Sequence, residues 1–244
     1  MYLLEGENVS KHFGGISALN NVSFHVSEGE IVGLIGPNGA GKTTLFNMIC
    51  SVYPLDSGII KFKGSKITGL KPHKVCQKGV ARTFQITQSF ANITVLENIM
   101  VGSLFGKERQ GNLRAAREEA AKVMEFTGLQ GKADLIVGDL ISADARRLEL
   151  ARALAAKPDI LLLDEVMAGL NPSEVAEAMK LIQRLRNEMG ITIFMVEHIM
   201  KSVMGISDRI IVLESGQQIA GGTPKEVSDN PAVIEAYLGE ARES

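Results

Sequence analysis

Nine consecutive residues, Gly36, Pro37, Asn38, Gly39, Ala40, Gly41, Lys42, Thr43 and Thr44, constrain this chain more than any other stretch. They follow the apolar run Ile31-Val32-Gly33-Leu34-Ile35 and precede Leu45-Phe46-Asn47-Met48-Ile49, so a strand must turn through them into a helix. Gly39 and Gly41 let backbone amides converge on an anion, because a Cβ would block the approach or the positive φ angles it needs. A helix starting near Lys42 adds the positive end of its dipole at the same point. The pattern G-x-x-x-x-G-K-[ST] in this setting predicts a cradle for a nucleoside triphosphate. Lys42 is expected to reach the β- and γ-phosphates, and the Thr43 hydroxyl to ligate Mg2+. Ordinary residue frequencies supply the bare string about once per hundred chains of this length, and the flanking elements lower that further.

Other apolar runs extend the same logic. Ile160-Leu161-Leu162-Leu163 and Ile191-Thr192-Ile193-Phe194-Met195-Val196 are nearly continuous, as strands covered on both faces must be. Val22-Ser23-Phe24-His25-Val26 and Ile60-Lys61-Phe62-Lys63 instead alternate, the pattern of half-exposed strands. Helical patterns lie at 113–126, 146–157 and 175–189, the last placing Val175, Met179, Ile182, Leu185 and Met189 on one face. Buried strands alternating with helices predict an α/β fold with a mostly parallel core sheet and an antiparallel edge subdomain. The stretch 87–157 shows helices without a buried strand, and is expected to be a helical subdomain inserted into the core of a single domain spanning 1–244.

Composition narrows the class. With 26 Lys and Arg against 28 Asp and Glu, the net charge of −2 gives no general pull toward nucleic acid. The two cysteines, Cys50 and Cys76, stand outside any CxxC spacing, so a disulfide framework or zinc site is not expected and a reducing cytoplasm is. No apolar run approaches the roughly 18 residues that suggest a membrane span. Glu5 and Glu7 near the start do not fit a signal peptide.

The run 160–163 ends in Asp164-Glu165. Acidic residues at the carboxyl end of a buried parallel strand stand where α/β sheets bind ligands. Asp164 is suited to hold Mg2+ through its water shell, and Glu165 to take a proton from an attacking water.

In this order the residues resemble the nucleotide-binding subunit of an ABC transporter over essentially the whole chain. The resemblance implies a RecA-like P-loop NTPase core that binds ATP and Mg2+ and couples ATP hydrolysis to transport. Arg82-Thr83-Phe84-Gln85 looks like the family's Q-loop, with Gln85 sensing Mg2+ and the attacking water. His198, in Met195-Val196-Glu197-His198, falls where the family has its switch histidine. Phe13 falls where the family stacks an aromatic ring on adenine, and Gly169-Leu170-Asn171-Pro172 looks like the D-loop, with Asn171 where many members have Asp. Lys11-His12-Phe13-Gly14-Gly15, Thr94-Val95-Leu96-Glu97-Asn98 and the segment from Gly222-Thr223-Pro224 to Ala236-Tyr237-Leu238-Gly239 are similar to the ATPases of branched-chain amino acid importers. That likeness implies further partners: a second ABC ATPase subunit (a distinct homologue or a second copy), transmembrane permease subunits and, indirectly, a periplasmic solute-binding protein. It also implies a cytoplasmic location on the inner face of the membrane. A lipopolysaccharide-export ATPase or a soluble non-transport ABC ATPase would share the same nucleotide chemistry.

One segment departs from the family. Its signature, usually Leu-Ser-Gly-Gly-Gln, is here Leu140-Ile141-Ser142-Ala143-Asp144 when anchored on Arg146-Arg147-Leu148-Glu149-Leu150-Ala151-Arg152. Ile141 has no hydroxyl to offer a γ-phosphate across a dimer, a hydrogen bond worth about 1.5–3 kcal/mol to a charged group. A register slipped by one residue would put Ser142 in that place. Asp144 is expected to cap the free amides of the following helix and to repel phosphate. Val166 replaces the proline that commonly follows the catalytic Glu. In a heterodimer these departures would leave one composite site hydrolysing well and the other poorly. Phe90, Ile93, Val95, Leu96, Ile99 and Met100 follow Gln85, and part of this apolar set is expected to form a groove for a permease helix.

Overall fold

The computed structural model describes residues 2–84, 89–109 and 111–243. In chain order it begins with strands β1 (Tyr2–Phe13), β2 (Ile16–Ser27) and β3 (Ile31–Ile35), helix α1 (Lys42–Ile49), and strands β4 (Ser57–Phe62) and β5 (Ser65–Lys66). There follow α2 (Pro72–Gln77), β6 (Val80–Arg82), α3 (Val95–Phe105), α4 (Leu113–Thr127), α5 (Ser142–Ala155) and β7 (Ile160–Asp164). The chain closes with α6 (Pro172–Met189), β8 (Thr192–Val196), α7 (Met200–Ile206), β9 (Arg209–Glu214), β10 (Gln217–Gly222), α8 (Pro224–Ser228) and α9 (Pro231–Glu243). Two compact units result: Met1–Pro72 with Met167–Ser244, and His73–Val166.

The first unit holds two sheets. One is antiparallel in the order β2-β1-β4-β5. In the other, β3 lies between β8 and β9 and runs parallel to both, and β10 closes the edge antiparallel to β9. Every residue of β3 and of β8 is buried, which explains their unbroken apolar sequence. In β2, Val22, Phe24 and Val26 face inward while Ser23 is exposed, as the alternation predicts. The rings of Phe24, Phe194 and Phe46 meet at centroid distances of 5.9 and 5.1 Å, joining β2, β8 and α1 in one apolar cluster. α6 opens on a capping box, Asn171 accepting from the amides of Ser173 and Glu174 while the Glu174 carboxylate accepts from the Asn171 amide. Ile182 and Leu185 are the buried members of its predicted face; Met189, expected on that face, is exposed because the helix ends there at Gly190.

In the second unit β6 and β7 pair in parallel. The helices expected between 87 and 157 are α3, α4 and α5, which pack on one another. α3 and α5 approach so closely at Gly102 that a Cβ there would stand 2.1 Å from the Arg152 carbonyl oxygen. α5 starts at Ser142, ahead of the position expected from its amphipathic stretch, because its first turn carries a small, weakly patterned sequence.

Candidate functional site

The phosphate loop lies in the first unit. It leaves β3 at Gly36 with φ of 150°, and reaches α1 through Gly41 with φ of 100°. Close packing also demands glycine at both positions. A Cβ on Gly36 would meet the Leu213 carbonyl oxygen at 2.0 Å, and one on Gly41 the Ala18 carbonyl oxygen at 2.5 Å. Asn38, Gly39 and Thr43 are exposed, while Ala40 is buried beneath the loop. The Lys42 side chain is only 5% exposed; its ammonium donates to the carbonyls of Gly36 and Pro37 at 2.7 and 2.8 Å, curling the loop about a fixed cation. Gly41, the N-cap residue of α1, makes no side-chain cap hydrogen bond, and a helix start of that kind suits an anion.

Phe13, at the end of β1, is 42% exposed and is therefore a surface ring rather than a core one. Its neighbour is Tyr53, whose ring stands edge-on at 5.3 Å and 77°. His198 is exposed just past β8, and beside it Glu197 is 2% exposed, its carboxylate accepting from the Met167 amide at 2.8 Å. A charged residue after an unbroken apolar strand is the signal that marks Glu197, and nothing in the sequence names its partner.

The second unit carries the carboxylates. Asp164 closes β7 at 1% exposure and pairs with Arg82 at 2.6 Å; the Arg82 side chain is 5% exposed. Two opposite charges this buried stand or fall together, since removing either strands the other in a poor solvent. The Thr83 hydroxyl accepts from the Asp164 amide at 3.3 Å, extending the β6–β7 pairing. Glu165 adopts φ of 53°, a left-handed conformation that is uncommon for a side chain of this size and concentrates at functional turns. Gln85 lies outside the described residues, which end before it at Phe84. The Phe84 amide donates at 2.8 Å to Glu149 of α5, a carboxylate that is 4% exposed. Burial pushes the Glu149 pKa up, partly opposed by that hydrogen bond and by Arg152 and Arg82. Further along the chain, buried Asn98 donates to the Phe90 carbonyl and accepts from its amide.

Asp144 corrects an expectation. It does not cap α5, whose N-cap residue is Ile141 without a side-chain hydrogen bond. Instead it is buried in the first turn, ion-paired with Lys132 and 4.0 Å from Arg147. The cations compensate the charge that was expected to face phosphate. Ile141 is 67% exposed and Ser142 is the first helical residue. Of the apolar set after Gln85, Val95, Leu96 and Ile99 are core, whereas Phe90 is 53% exposed. Leu135 and Ile136 are exposed alongside, where Ile136 bridges Thr94.

Two family matches bear on these residues. The sequence matches the ABC transporter family over residues 19–168 and the branched-chain amino acid ATP-binding cassette transporter family over 217–243. It is 45% identical to the high-affinity branched-chain amino acid transport ATP-binding protein LivG of Salmonella typhimurium, covering 98% of both chains. An ABC transporter cassette crystallised in its ADP conformation superposes with a TM-score of 0.87 at 33% identity, over 98% of this chain and 99% of that one. A dimeric cassette bound to ADP and phosphate superposes with a TM-score of 0.82 at 27% identity, over 91% and 98%.

Proposed function

Because this chain belongs to the ABC transporter ATP-binding family, we propose that it powers an importer of branched-chain or other hydrophobic amino acids. Its chemistry is ATP hydrolysis. The observation that carries the reading is the loop at 36–44, with Lys42 held at its centre by two loop carbonyls and the α1 amides uncapped. The amino acid substrate rests on the C-terminal family match and on what the relatives are named for transporting.

In the proposed cycle, the base of ATP stacks on Phe13 and the phosphates lie against Gly36, Pro37, Asn38, Gly39, Ala40, Gly41, Lys42, Thr43 and Thr44. Among the described residues, no group of three or more His, Cys, Asp or Glu side chains is placed to hold a metal ion. A magnesium ion that arrives with the phosphates needs only one or two protein oxygens. The exposed Thr43 hydroxyl suits that role, whereas Asp164, 1% exposed and paired with Arg82, would act on the ion only through water. The bound ion would neutralise charge developing on the β- and γ-oxygens. Glu165 orients or deprotonates the attacking water, His198 contacts the γ-phosphate, and Gln85 senses the metal and water. A second ATPase subunit, distinct or identical, closes over the nucleotide, as the dimeric form of a structural relative supports. Permease subunits receive the motion, with Phe90, Leu135 and Ile136 offering apolar surface for docking. No helix among the described residues is long and apolar enough to cross a membrane, which suits a peripheral place on the cytoplasmic face.

The test is uptake of radiolabelled leucine, isoleucine and valine by cells lacking the gene and complemented with wild type or Lys42→Ala. Uptake restored by wild type alone supports the reading. Uptake unaffected by loss of the gene overturns the amino acid assignment.

A further inference from the structure

Phe13 stands at the tip of β1, followed by Gly14 and Gly15, and nearly half its surface is open. A ring in such a place ordinarily samples several rotamers, and stacking a base on it would cost that freedom. Here the freedom is already restricted from the chain segment that follows α1. The Tyr53 ring meets Phe13 edge-on at 5.3 Å, one of the preferred aromatic geometries. The Asp56 carboxylate accepts from the backbone amide of His12 at 2.6 Å, fixing the residue immediately before Phe13. Its other oxygen accepts from the Lys11 ammonium at 2.8 Å, and that ammonium sits 5.4 Å from the Phe13 ring centroid. The Asp56 amide donates to the Ser10 carbonyl, so backbone and side chain together bind this segment to β1. The Lys11 side chain is 9% exposed and the Asp56 side chain 39%, so the pair is buried on the Lys11 side and open to solvent at Asp56.

We propose that Tyr53 and Asp56 are positioning residues for nucleobase binding, holding the Phe13 ring in its stacking orientation before the nucleotide arrives. The inference rests on the reading that Phe13 stacks on the base. α1 spans about 12 Å, with the phosphate loop at one end and the Tyr53–Asp56 segment beyond the other. One rigid helix thereby references both ends of the same ligand. Neither Tyr53 nor Asp56 touches the phosphates, so each is required for base recognition and dispensable for triphosphate binding. The chemical class recognised is a purine nucleotide through its ring face, in contrast to a bare polyphosphate.

The experiment compares Mg2+-ATP with Mg2+-tripolyphosphate, titrated calorimetrically into the purified chain. Tyr53→Ala is expected to weaken ATP about three- to tenfold, the equivalent of one aromatic contact, while tripolyphosphate binding is unchanged. Tyr53→Phe keeps the ring and is expected to bind both ligands as wild type does. Asp56→Asn retains an acceptor for the His12 amide but loses the ion pair, so a smaller loss, again confined to ATP, is expected. Phe13→Ala supplies the reference. If it abolishes the preference for ATP while Tyr53→Ala leaves ATP affinity intact, the positioning role is overturned and base stacking stands. Equal weakening of both ligands by Tyr53→Ala overturns it as well, by showing a general structural defect. If Phe13→Ala leaves ATP affinity untouched, base stacking itself fails and the positioning role fails with it.

Discussion

Helices α1 and α5 begin alike and end up electrostatically opposite. Neither has a side-chain cap, whereas α3, α4, α6 and α8 are closed by Thr94, Asn112, Asn171 and Thr223. Uncapped amides make either start hospitable to an anion. At α1 the first residue is a lysine and no acidic residue enters the first turn. At α5 the cap position is an exposed isoleucine and the first turn contains Asp144. The contrast teaches that an uncapped helix start is not enough: residues within one turn decide whether the dipole meets a phosphate or is neutralised locally. Lys132 does the neutralising at α5, so the departure from the family signature is a compensated one.

The largest effect that would break this contrast is expected at α1. With Lys42 on the β- and γ-phosphates as proposed, Lys42→Ala removes charge-assisted hydrogen bonds, and ATP affinity measured by equilibrium dialysis should fall about a hundredfold. Retained affinity would mean that the loop amides alone hold the triphosphate. Next comes repair of α5. Ile141→Ser restores a hydroxyl at the cap position, and turnover at the composite site completed by this segment should rise about tenfold or more. Steady-state ATPase of the assembled transporter reads it, and an unchanged rate would place the deficit elsewhere in 140–144.

Smaller still is the cost of uncovering Asp144. The Lys132 side chain is 34% exposed and the Asp144 side chain 7%. Solvent screens the pair in part, so Lys132→Ala should lose about 1 kcal/mol in urea unfolding. Adding Asp144→Asn should recover most of it; no loss in the single variant would assign the compensation to Arg147. The smallest effect concerns Glu149. Its folded-state pKa is raised chiefly by burial, so folding favours the protonated form. That contribution is present below the ordinary carboxylate pKa and is lost as pH rises through the raised value. Glu149→Gln should therefore gain stability relative to wild type as pH rises from 4 to 8, because the amide carries no charge to bury and its oxygen still accepts from Phe84. A constant difference across that range would contradict the direction.

The regions differ equally in how legible they were. Every requirement of the phosphate loop is local: the glycines, the lysine and both flanking elements occupy consecutive residues, so 31–49 could be read directly. Buried strands β3, β7 and β8 were legible for the same reason, as unbroken apolar runs. What escaped was the pairing of residues far apart in sequence. Arg82 with Asp164, Glu149 with Phe84 and Glu197 with Met167 lie 82, 65 and 30 positions apart. Nothing in the sequence near either member of these pairs names the other. Asp144 departs from its expected role because a carboxylate in the first turn has two physical uses, capping and pairing, and Lys132 selects the second only once the chain has folded. The compact unit His73–Val166 takes in β6 and β7 along with the helices. No change in composition marks its edges, since the chain enters and leaves it through ordinary strand and turn sequence.

For an assembly in which the second ATPase is a distinct chain, the contrast between α1 and α5 is tested most directly in the assembled transporter. ATP hydrolysis is measured with Glu165→Gln in this chain and, separately, with the matching carboxylate of the partner replaced by amide. The expected result is that Glu165→Gln removes most of the turnover and the partner's replacement removes little. Equal losses would contradict it, because two equivalent sites cannot follow from one intact and one degraded helix start.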